Sequence, residues 1–569
     1  MKNINKYLII LLVAILFVAC SKDFLEVEPK EVLSFEQATQ DADALVIAAY
    51  SWLGNDHYTA PNFLWPTGNL RAGDSHKGGN GPGDIFSYHA LSVYQPIIAD
   101  MSTFPPDLID LNNKKWERIF TGISRCNTAL SVLNEVDPAV FPLKTVRQAE
   151  MRFLRGHFYF DLKIHHKQVP YIDENTPAEE ILQVSNVALT DQELWDKIAA
   201  DFRFAADNLP PSQSEVGRSN KFTAKSYLAK TLLYQAYEQD DNNAVVNINQ
   251  EKLNEVVSLV DEVIASGQYG LAGDYAENFL FQFENGSESV FAIQRSIDDG
   301  SPDGRGTWSS ALNYPQSAQF GCCGFHVPTD NFVNSFKTSN TGLPLFDTFN
   351  EFNYNKATDS VDPRLDHTVY MDGKPFKYDP TLIVQGDTWA RAPNVYGSFG
   401  SMKELEHPDC VCRAANGPFT ITSKNTVLIR YADVLLWKAE ALIELGRQAE
   451  ALPIINEIRQ RAGNSTIRLN NASIYNIGLY DGSNWSQDFA RQALRMERRL
   501  ELGLEGHRFF DLVRWGIAKQ WIDQYLAVER TRREYLNDAS FQAGKHEYMP
   551  IPQTQINLSG GLYQQISGY

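Results

Sequence analysis

The sequence has few cysteines, a shortage of basic residues and, after its first twenty positions, no long apolar run. Only six of its 569 residues are cysteine, so a disulfide-rich scaffold is not expected. Lysine and arginine total 51 against 70 acidic residues, and the resulting formal charge of −19 disfavours nucleic acid and anionic lipid heads as ligands. Without a second apolar run of about 20 residues, no transmembrane helix is expected beyond the N-terminal segment.

The chain also lacks the short motifs of common catalytic and nucleotide-binding sites. HExxH, GxSxG, GxxxxGK[ST] and GxGxxG are all absent. Cys410 and Cys412 have neither the usual zinc spacing nor a second ligand pair, so a loop disulfide or free thiols are expected there. The adjacent Cys322 and Cys323 could pair only in a strained ring. No metal and no cofactor are therefore expected.

Three glutamates lie on one predicted helix among several arginines. Glu497, Glu501 and Glu505 recur every four residues in that segment. Paired carboxylates serve glycosidases, but carboxylates surrounded by arginines have lowered pKa values and make poor general acids. We interpret these glutamates as partners in ion pairs within and between helices.

The first twenty residues have the layout of a bacterial lipoprotein signal. Two lysines form a charged head, and residues 7–19 are an apolar run too short to span a bilayer. The run ends in a small residue followed at once by Cys20, the arrangement at which bacteria attach diacylglycerol before cleavage. We predict a signal peptide over residues 1–19, lipidation of Cys20 and a tether over residues 20–33. A plain secretory signal with an accidental cysteine is the alternative.

Helical periodicity dominates much of the remaining chain, and it is clearest at residues 430–463. There Ala439, Leu442, Gly446 and Ala451 have the spacing of a 34-residue tetratricopeptide repeat, in which small residues let two helices approach closely. Earlier helical blocks have similar sizes but poorer agreement with that repeat. The pattern predicts a mainly α fold, a helical-repeat scaffold that carries loop-rich insertions.

Two long segments lack this period. Residues 55–112 are rich in glycine, proline, asparagine and aspartate, and residues 295–426 add many aromatic residues to that mixture. We interpret the second segment as an inserted subdomain of short strands and loops. Aromatic side chains in the loops of an exported protein are typical of recognition, because their flat apolar faces pack on a ligand. The alternative is that most of them anchor the long loops to the body.

Ordered sequence blocks extend along nearly the whole mature chain. The most specific block is RYADVLLWKAEALIELG at residues 430–446, followed by NEIRQRAG at residues 456–463. The other blocks, in chain order, are DFLEVEP at 23–29, RCN at 125–127, AEMRFLRGHFYFDL at 149–162, VPYI at 169–172, KFTAKSYLAKTLLYQAY at 221–237, SGQYGL at 266–271, DPRLD at 362–366, ERRLELGLEGHRFFDLVRW at 497–515 and YMPIPQTQI at 548–556. Together these blocks resemble the SusD/RagB family of nutrient-binding outer-membrane lipoproteins.

The resemblance implies about four tetratricopeptide-like helix pairs and a variable, partly β insertion that carries the ligand site. It divides the chain into an N-terminal helical region (34–294) with a ligand loop (55–112), the insertion (295–426) and a C-terminal helical-repeat region (427–569). It implies a non-catalytic protein that binds an oligosaccharide or polysaccharide, is lipid-anchored to the outer membrane at the cell surface, and partners a SusC-like TonB-dependent transporter. A peptide-binding member of the family and an envelope glycoside hydrolase are the alternatives.

The ligand residues are expected in the two irregular segments. The family pattern favours Trp65, Asn69, Arg71, Asp74, His76, Lys77, Trp308 and Trp389. An aromatic face packed on a sugar contributes about 1–2 kcal/mol, so a few such contacts imply affinities nearer millimolar than nanomolar. A lipid anchor beside a transporter would make such weak binding effective by raising the local concentration.

Overall fold

The computed structural model describes residues 41–96, 110–300 and 305–569. The predicted signal peptide, the lipidation at Cys20 and the tether lie outside these residues. Over the described stretches the fold is mainly helical with short strands, as predicted. No helix within these stretches is long and apolar enough to cross a membrane.

The helices and strands are numbered here in chain order. The helices are α1 (Ala42–Leu53), α2 (Phe86–Ser92), α3 (Leu111–Glu135), α4 (Lys144–His166), α5 (Asp191–Asn208), α6 (Lys221–Ala236), α7 (Gln250–Ala265), α8 (Asp330–Asn334), α9 (Arg364–Thr368), α10 (Pro393–Tyr396), α11 (Tyr431–Glu444), α12 (Gln448–Asn464), α13 (Gln487–Glu501), α14 (Arg508–Arg514), α15 (Ala518–Glu529) and α16 (Gln553–Leu558). The strands are β1 (Ser75–Gly78), β2 (Tyr237–Gln239), β3 (Val245–Ile248), β4 (Ser289–Ile293), β5 (Phe325–Pro328), β6 (Ser360–Val361), β7 (Val369–Tyr370), β8 (Pro375–Phe376), β9 (Asp379–Ile383), β10 (Gly400–Ser401), β11 (Arg413–Asn416), β12 (Phe419–Thr422), β13 (Thr426–Arg430) and β14 (Ile474–Tyr475).

Eight helices form a row in which consecutive members pack together. From α3 to α7 each helix contacts the next, α7 contacts α11, and α11 contacts both α12 and α13. Ala439 in α11 and Ala451 in α12 are fully buried, and Gly446 turns the chain between these helices with a φ of 75°. The close helix approach predicted from the tetratricopeptide spacing is therefore confirmed.

Side-chain caps define where several of these helices begin. Thr190 and Glu193 form a capping box at α5, and the Asn220 side chain accepts two backbone N–H groups at α6. Asn249 caps α7 in the same way. Each cap satisfies N–H groups that the first turn leaves without partners, and contributes about 1 kcal/mol. The apolar faces of the capped helices then merge into one large core.

The loop-rich segment interrupts the row between α7 and α11. Its two ends meet where β4 and β13 pair antiparallel, with Ala292 opposite Val427. Between these strands lie short two-stranded sheets and small apolar clusters that are separate from the main core. The partly β character predicted for residues 295–426 is present, whereas the exact domain boundaries stay a prediction.

Buried histidines give the fold a predictable sensitivity to acid. Burial lowers the pKa of His367 to about 4 and that of His166 to about 3. An unfolded chain takes up these protons near pH 6.5, so between about pH 6.5 and 4 the unfolded state binds more protons than the folded state. The stability contributed by the neutral imidazoles is present above pH 6.5 and is lost as the pH falls through this interval.

We therefore expect the urea concentration at the midpoint of unfolding to decrease when the pH is lowered from 7 to 4.5. The variant His367→Gln should show a smaller fall than the wild type, because it removes one of the groups that protonates on unfolding. Urea titrations followed by circular dichroism at pH 7.0, 5.5 and 4.5 measure both effects. An unchanged midpoint across this range would contradict the expectation.

Candidate functional site

Within the predicted ligand loop (55–112), residues 65–78 fold inward. This stretch begins with a π-helical turn, Trp65–Leu70, and ends in β1, which pairs with β5. Trp65 is fully buried, its indole N–H donates to the Ser309 carbonyl at 2.8 Å, and its ring centroid lies 5.0 Å from that of Tyr88. The ring supports the loop from inside, and its predicted ligand contact stays a prediction.

Asn69 and Asp74 attach this loop to the C-terminal helices. The Asn69 Oδ1 accepts the backbone N–H of Gly506 at 3.0 Å. The Asp74 carboxylate accepts the Arg499 guanidinium at 2.8 Å, and both side chains are fully buried. The two polar side chains are therefore used within the protein, where unpaired polar groups would be costly.

Three further predicted residues also have partners inside the protein. The Arg71 guanidinium lies 3.9 Å from the centroid of the Phe509 ring, and His76 Nδ1 lies 2.8 Å from the Tyr535 hydroxyl. Lys77 donates to two backbone carbonyls of the following turn, and burial lowers its pKa to about 8. A ligand-binding role for these side chains remains untested.

Trp389 belongs to an apolar cluster that contains neither Trp65 nor Trp308. Its ring centroid is 5.0 Å from that of Phe320 and 5.7 Å from that of Phe376. Trp65, Trp308 and Trp389 belong to three different clusters. The structure therefore does not bring the three predicted tryptophans onto one surface.

Trp308 is the predicted residue whose ring packs with half-exposed aromatic neighbours. Its ring centroid lies 5.6 Å from His57 and 6.0 Å from Phe419. Tyr58 completes the group, 4.2 Å from His57 and 5.7 Å from Phe419. Trp308 itself is 8% exposed, while the other three rings are half-buried. We call these four rings the aromatic cluster.

Hydrogen bonds tie together the three chain segments that supply the aromatic cluster. The backbone N–H and hydroxyl of Ser309 donate to Asp56 Oδ2 at 2.9 and 2.8 Å, which joins the turn after Trp308 to the segment before His57. The Thr307 N–H donates to the Thr422 carbonyl at 2.9 Å, which joins the same turn to β12. The rings are thus held by buried contacts on both sides.

The cluster offers a ligand an apolar surface with little ionic character. Asp56, beneath it, is paired with Arg295 at 3.4 Å, and both side chains are buried. Packing a sugar face on an aromatic ring removes about 50–100 Å² of apolar surface from water, which contributes about 1–2 kcal/mol. The arrangement is suited to stacking against the flat face of a ligand.

Sequence reasoning missed His57, Tyr58 and Phe419 as members of this surface. Phe419 begins β12 directly after the two-residue turn of a hairpin, in which Asn416 is opposite Phe419. The dipeptide Asn-Gly at residues 416–417 is a strong hairpin signal and would have located that strand. No local signal marks His57 and Tyr58, because only their distant partners place them beside Trp308.

The cysteines of the described residues form two bridges between close neighbours. Cys410 is bonded to Cys412, which selects the loop disulfide from the two states that the sequence left open, and Cys322 is bonded to Cys323. Cys126 is free and buried. Glu406 is the third member of the one metal-ligand grouping found in the described stretches, but its two cysteine sulfurs are already bonded to each other.

The three glutamates predicted to form ion pairs do so, with arginines from distant elements. Glu497 accepts from Arg364 at 2.6 Å, Glu501 from Arg364 and from Arg430 at 2.9 Å each, and Glu505 from Arg430 at 2.8 Å. Burial opposes ionisation of Glu505, yet Arg430 and a nearby lysine lower its pKa to about 2. We call this group of glutamates and arginines the arginine–glutamate network.

A helical-repeat row with a loop-rich insertion defines the class of fold to which this chain belongs. Comparison with family models gives the class a name: residues 287–569 match the SusD family, and residues 85–233 match a family described as "Starch-binding associating with outer membrane". The chain belongs to the SusD/RagB family, as its sequence blocks predicted.

Known relatives extend over most of the chain at low identity. SusD-like protein P38 of Formosa agariphila is 24% identical over 532 residues, which cover 90% of this chain and 91% of that protein. A solved structure titled "Laminarin binding SusD-like protein" is 22% identical with a TM-score of 0.64, and covers 93% of this chain and 99% of that one. Surface glycan-binding protein A from Bacteroides fluxus is 20% identical with a TM-score of 0.68 and the same coverage. The two structures share the fold of this chain.

Proposed function

We propose that this chain is a cell-surface lipoprotein that binds a glycan without cleaving it and passes it to a SusC-like TonB-dependent transporter. The observation that carries the proposal is the aromatic cluster, a half-exposed apolar surface on the loop-rich part of a SusD-family fold. The family description names starch binding and outer-membrane association. Two related structures are named for laminarin and surface glycan binding, which supports the ligand class.

The glycan would stack on the half-buried rings of Phe419, Tyr58 and His57, which pack against the buried Trp308. Trp65, Asn69 and Asp74 would act as the layer beneath, because Trp65 bonds to the turn at Ser309 and the other two attach the same loop to the C-terminal region. Lipidation of Cys20 would hold this surface beside the transporter, where a weak site gains from high local concentration. No nucleic acid role is proposed, since the chain carries a formal charge of −19.

The test is the effect of Phe419→Ala on polysaccharide binding. Removing one stacked ring should cost about 1–2 kcal/mol, which raises the dissociation constant about 5–30-fold. Affinity electrophoresis with laminarin, starch and other neutral polysaccharides identifies a bound polymer, and calorimetric titration then measures the change. Phe352→Ala is the matched control, because that phenylalanine is 76% exposed and lies outside the aromatic cluster.

The same protein samples distinguish the proposed function from its two alternatives. Release of shorter products from the bound polymer, seen by time-resolved chromatography, would favour an envelope glycoside hydrolase. Binding of peptides without binding of any glycan would favour a peptide-binding member of the family. Equal losses in Phe419→Ala and Phe352→Ala would remove the aromatic cluster from the proposal.

A further inference from the structure

A cavity of about 290 Å³ is lined in part by Thr307, Ser309 and Ser310, the chain neighbours of Trp308. Its lining includes residues of two 3-10 turns, Tyr275–Phe279 and Phe281–Phe283, and residues 424–427, which contact these turns. Its rim at residues 285–287 is exposed to solvent. The volume falls at the lower end of the range for small-molecule pockets, about 300–1,000 Å³.

The basic side chains of this cavity are already paired. Lys403 Nζ lies 2.7 Å from Glu505, and Lys424 Nζ lies 2.9 Å from Glu406. Arg430 is 2.8 Å from Glu505 and belongs to the arginine–glutamate network. No lysine or arginine of the wall is therefore left to neutralise an anionic ligand, and burying an unpaired anion here would be costly.

Two carboxyl groups that line the same cavity differ from these ion-paired side chains. Glu277 and Glu284 have no Lys, Arg or His nitrogen within 4.0 Å among the described residues. Glu284 accepts the backbone N–H of Asn425, and burial raises its pKa to about 7, so near neutral pH it both donates and accepts hydrogen bonds. These groups match hydroxyl or ammonium donors on a ligand.

Apolar side chains complete the wall. Phe283 and Phe63 are half-buried and line the cavity together with Leu280. A ligand that fits must therefore combine hydrogen-bond donors with an apolar face, within the size of one or two small rings. A sugar ring has this combination, because its C–H face packs on phenyl groups while its hydroxyls reach carboxyl and amide groups.

We propose that this cavity binds a single saccharide unit that bears no negative charge, either a neutral or an amino sugar, and rejects uronic acids. The inference rests on the proposed function for the sugar class and adds a second site with a defined charge preference. Neutral and amino sugars present the same chemistry here, namely hydroxyl or ammonium donors facing Glu277 and Glu284.

Saturation-transfer NMR on the full chain tests the site with methyl glucoside, glucosamine and glucuronate as probes. We expect the first two to bind in the millimolar range and glucuronate to bind at least tenfold more weakly. Ser287→Trp, at the exposed rim, should weaken methyl glucoside binding at least tenfold by blocking the entrance. Ser258→Trp makes the same exchange at an exposed position of α7 and should leave binding unchanged.

A second variant tests the charge preference itself. In the double variant Glu277→Gln/Glu284→Gln, the discrimination between methyl glucoside and glucuronate should shrink to within about twofold, because the like-charge repulsion is removed. Equal binding of glucuronate by the wild type, or an unaltered signal in Ser287→Trp, would overturn the inference.

The two proposals fail in distinguishable ways. In one outcome, a polysaccharide binds to the wild type and not to Phe419→Ala, while Ser287→Trp weakens the binding of no monosaccharide. This outcome would overturn the cavity site alone. In the other outcome, the wild type binds no polysaccharide but binds a monosaccharide, and Ser287→Trp abolishes that binding. This outcome would overturn the proposed function and leave a small-sugar site.

Discussion

Replacing Glu501 with glutamine is expected to lower the free energy of unfolding by about 3–5 kcal/mol. Glu501 is fully buried, and its carboxylate pairs with Arg364, Arg430 and Arg461. Glutamine keeps the shape of the side chain but removes its negative charge. The three guanidinium groups then remain in a buried site with one compensating charge fewer, and the loss of a partner there is much more costly than at the surface.

Urea unfolding followed by tryptophan fluorescence measures this loss. Glu180→Gln is the matched control, because Glu180 is exposed and the same exchange there should change the free energy by less than about 0.5 kcal/mol. A loss below about 1 kcal/mol for Glu501→Gln would show that the arginine–glutamate network contributes little to stability.

A second large loss is expected for Gly68→Ala, about 3 kcal/mol. A Cβ atom at position 68 would lie 2.0 Å from the carbonyl oxygen of Gly506 and 2.6 Å from its carbonyl carbon. Both are backbone atoms, so no change of rotamer relieves the overlap, and the π-helical turn must move away from the segment before α14. The contact of Asn69 with the Gly506 N–H would be strained by the same shift.

Two measurements check this prediction. Chemical denaturation gives the loss of stability, and hydrogen exchange should show faster exchange across residues 65–78 than in the wild type. Gly83→Ala is the control, because no atom lies within 4 Å of a Cβ built there and its φ is not in the left-handed region. If the hydrogen-exchange rates of residues 65–78 were the same in Gly68→Ala as in the wild type, the turn would accommodate the added methyl group without moving, which contradicts the prediction.

The helical row was predictable because its signals are local. Ala439, Gly446 and Ala451 lie within one repeat, and the period of 3.6 residues together with a turn glycine is enough to predict two packed helices. The ion-pairing role of Glu501 was also predictable, since it follows from the arginines around it. Its actual partners, Arg461, Arg430 and Arg364, lie 40, 71 and 137 residues away and were not identified.

The candidate site was less predictable because burial in the loops depends on distant contacts. Trp65 and Asp74 look like ligand residues in a polar loop, but Ser309 and Arg499 cover them in the folded chain. Periodicity carries no information about such partners, since the loop has no regular pattern. Trp308 was predicted, whereas Phe419 beside it was not, because the fold and not the sequence makes them neighbours.

The pairing of β4 with β13 also bears on how readily the loops can diverge. These two strands close the inserted segment at its base, so α7 and α11 meet regardless of what lies between them. The entropy of closing a flexible loop grows only with the logarithm of its length, and each doubling costs about 0.6 kcal/mol. Lengthening an exposed loop of the insertion therefore has little thermodynamic consequence for the helices, whereas Arg364 within it must be kept, because it pairs with the buried Glu497 and Glu501. New binding specificities can arise in this part of the chain while the rest of the molecule stays the same.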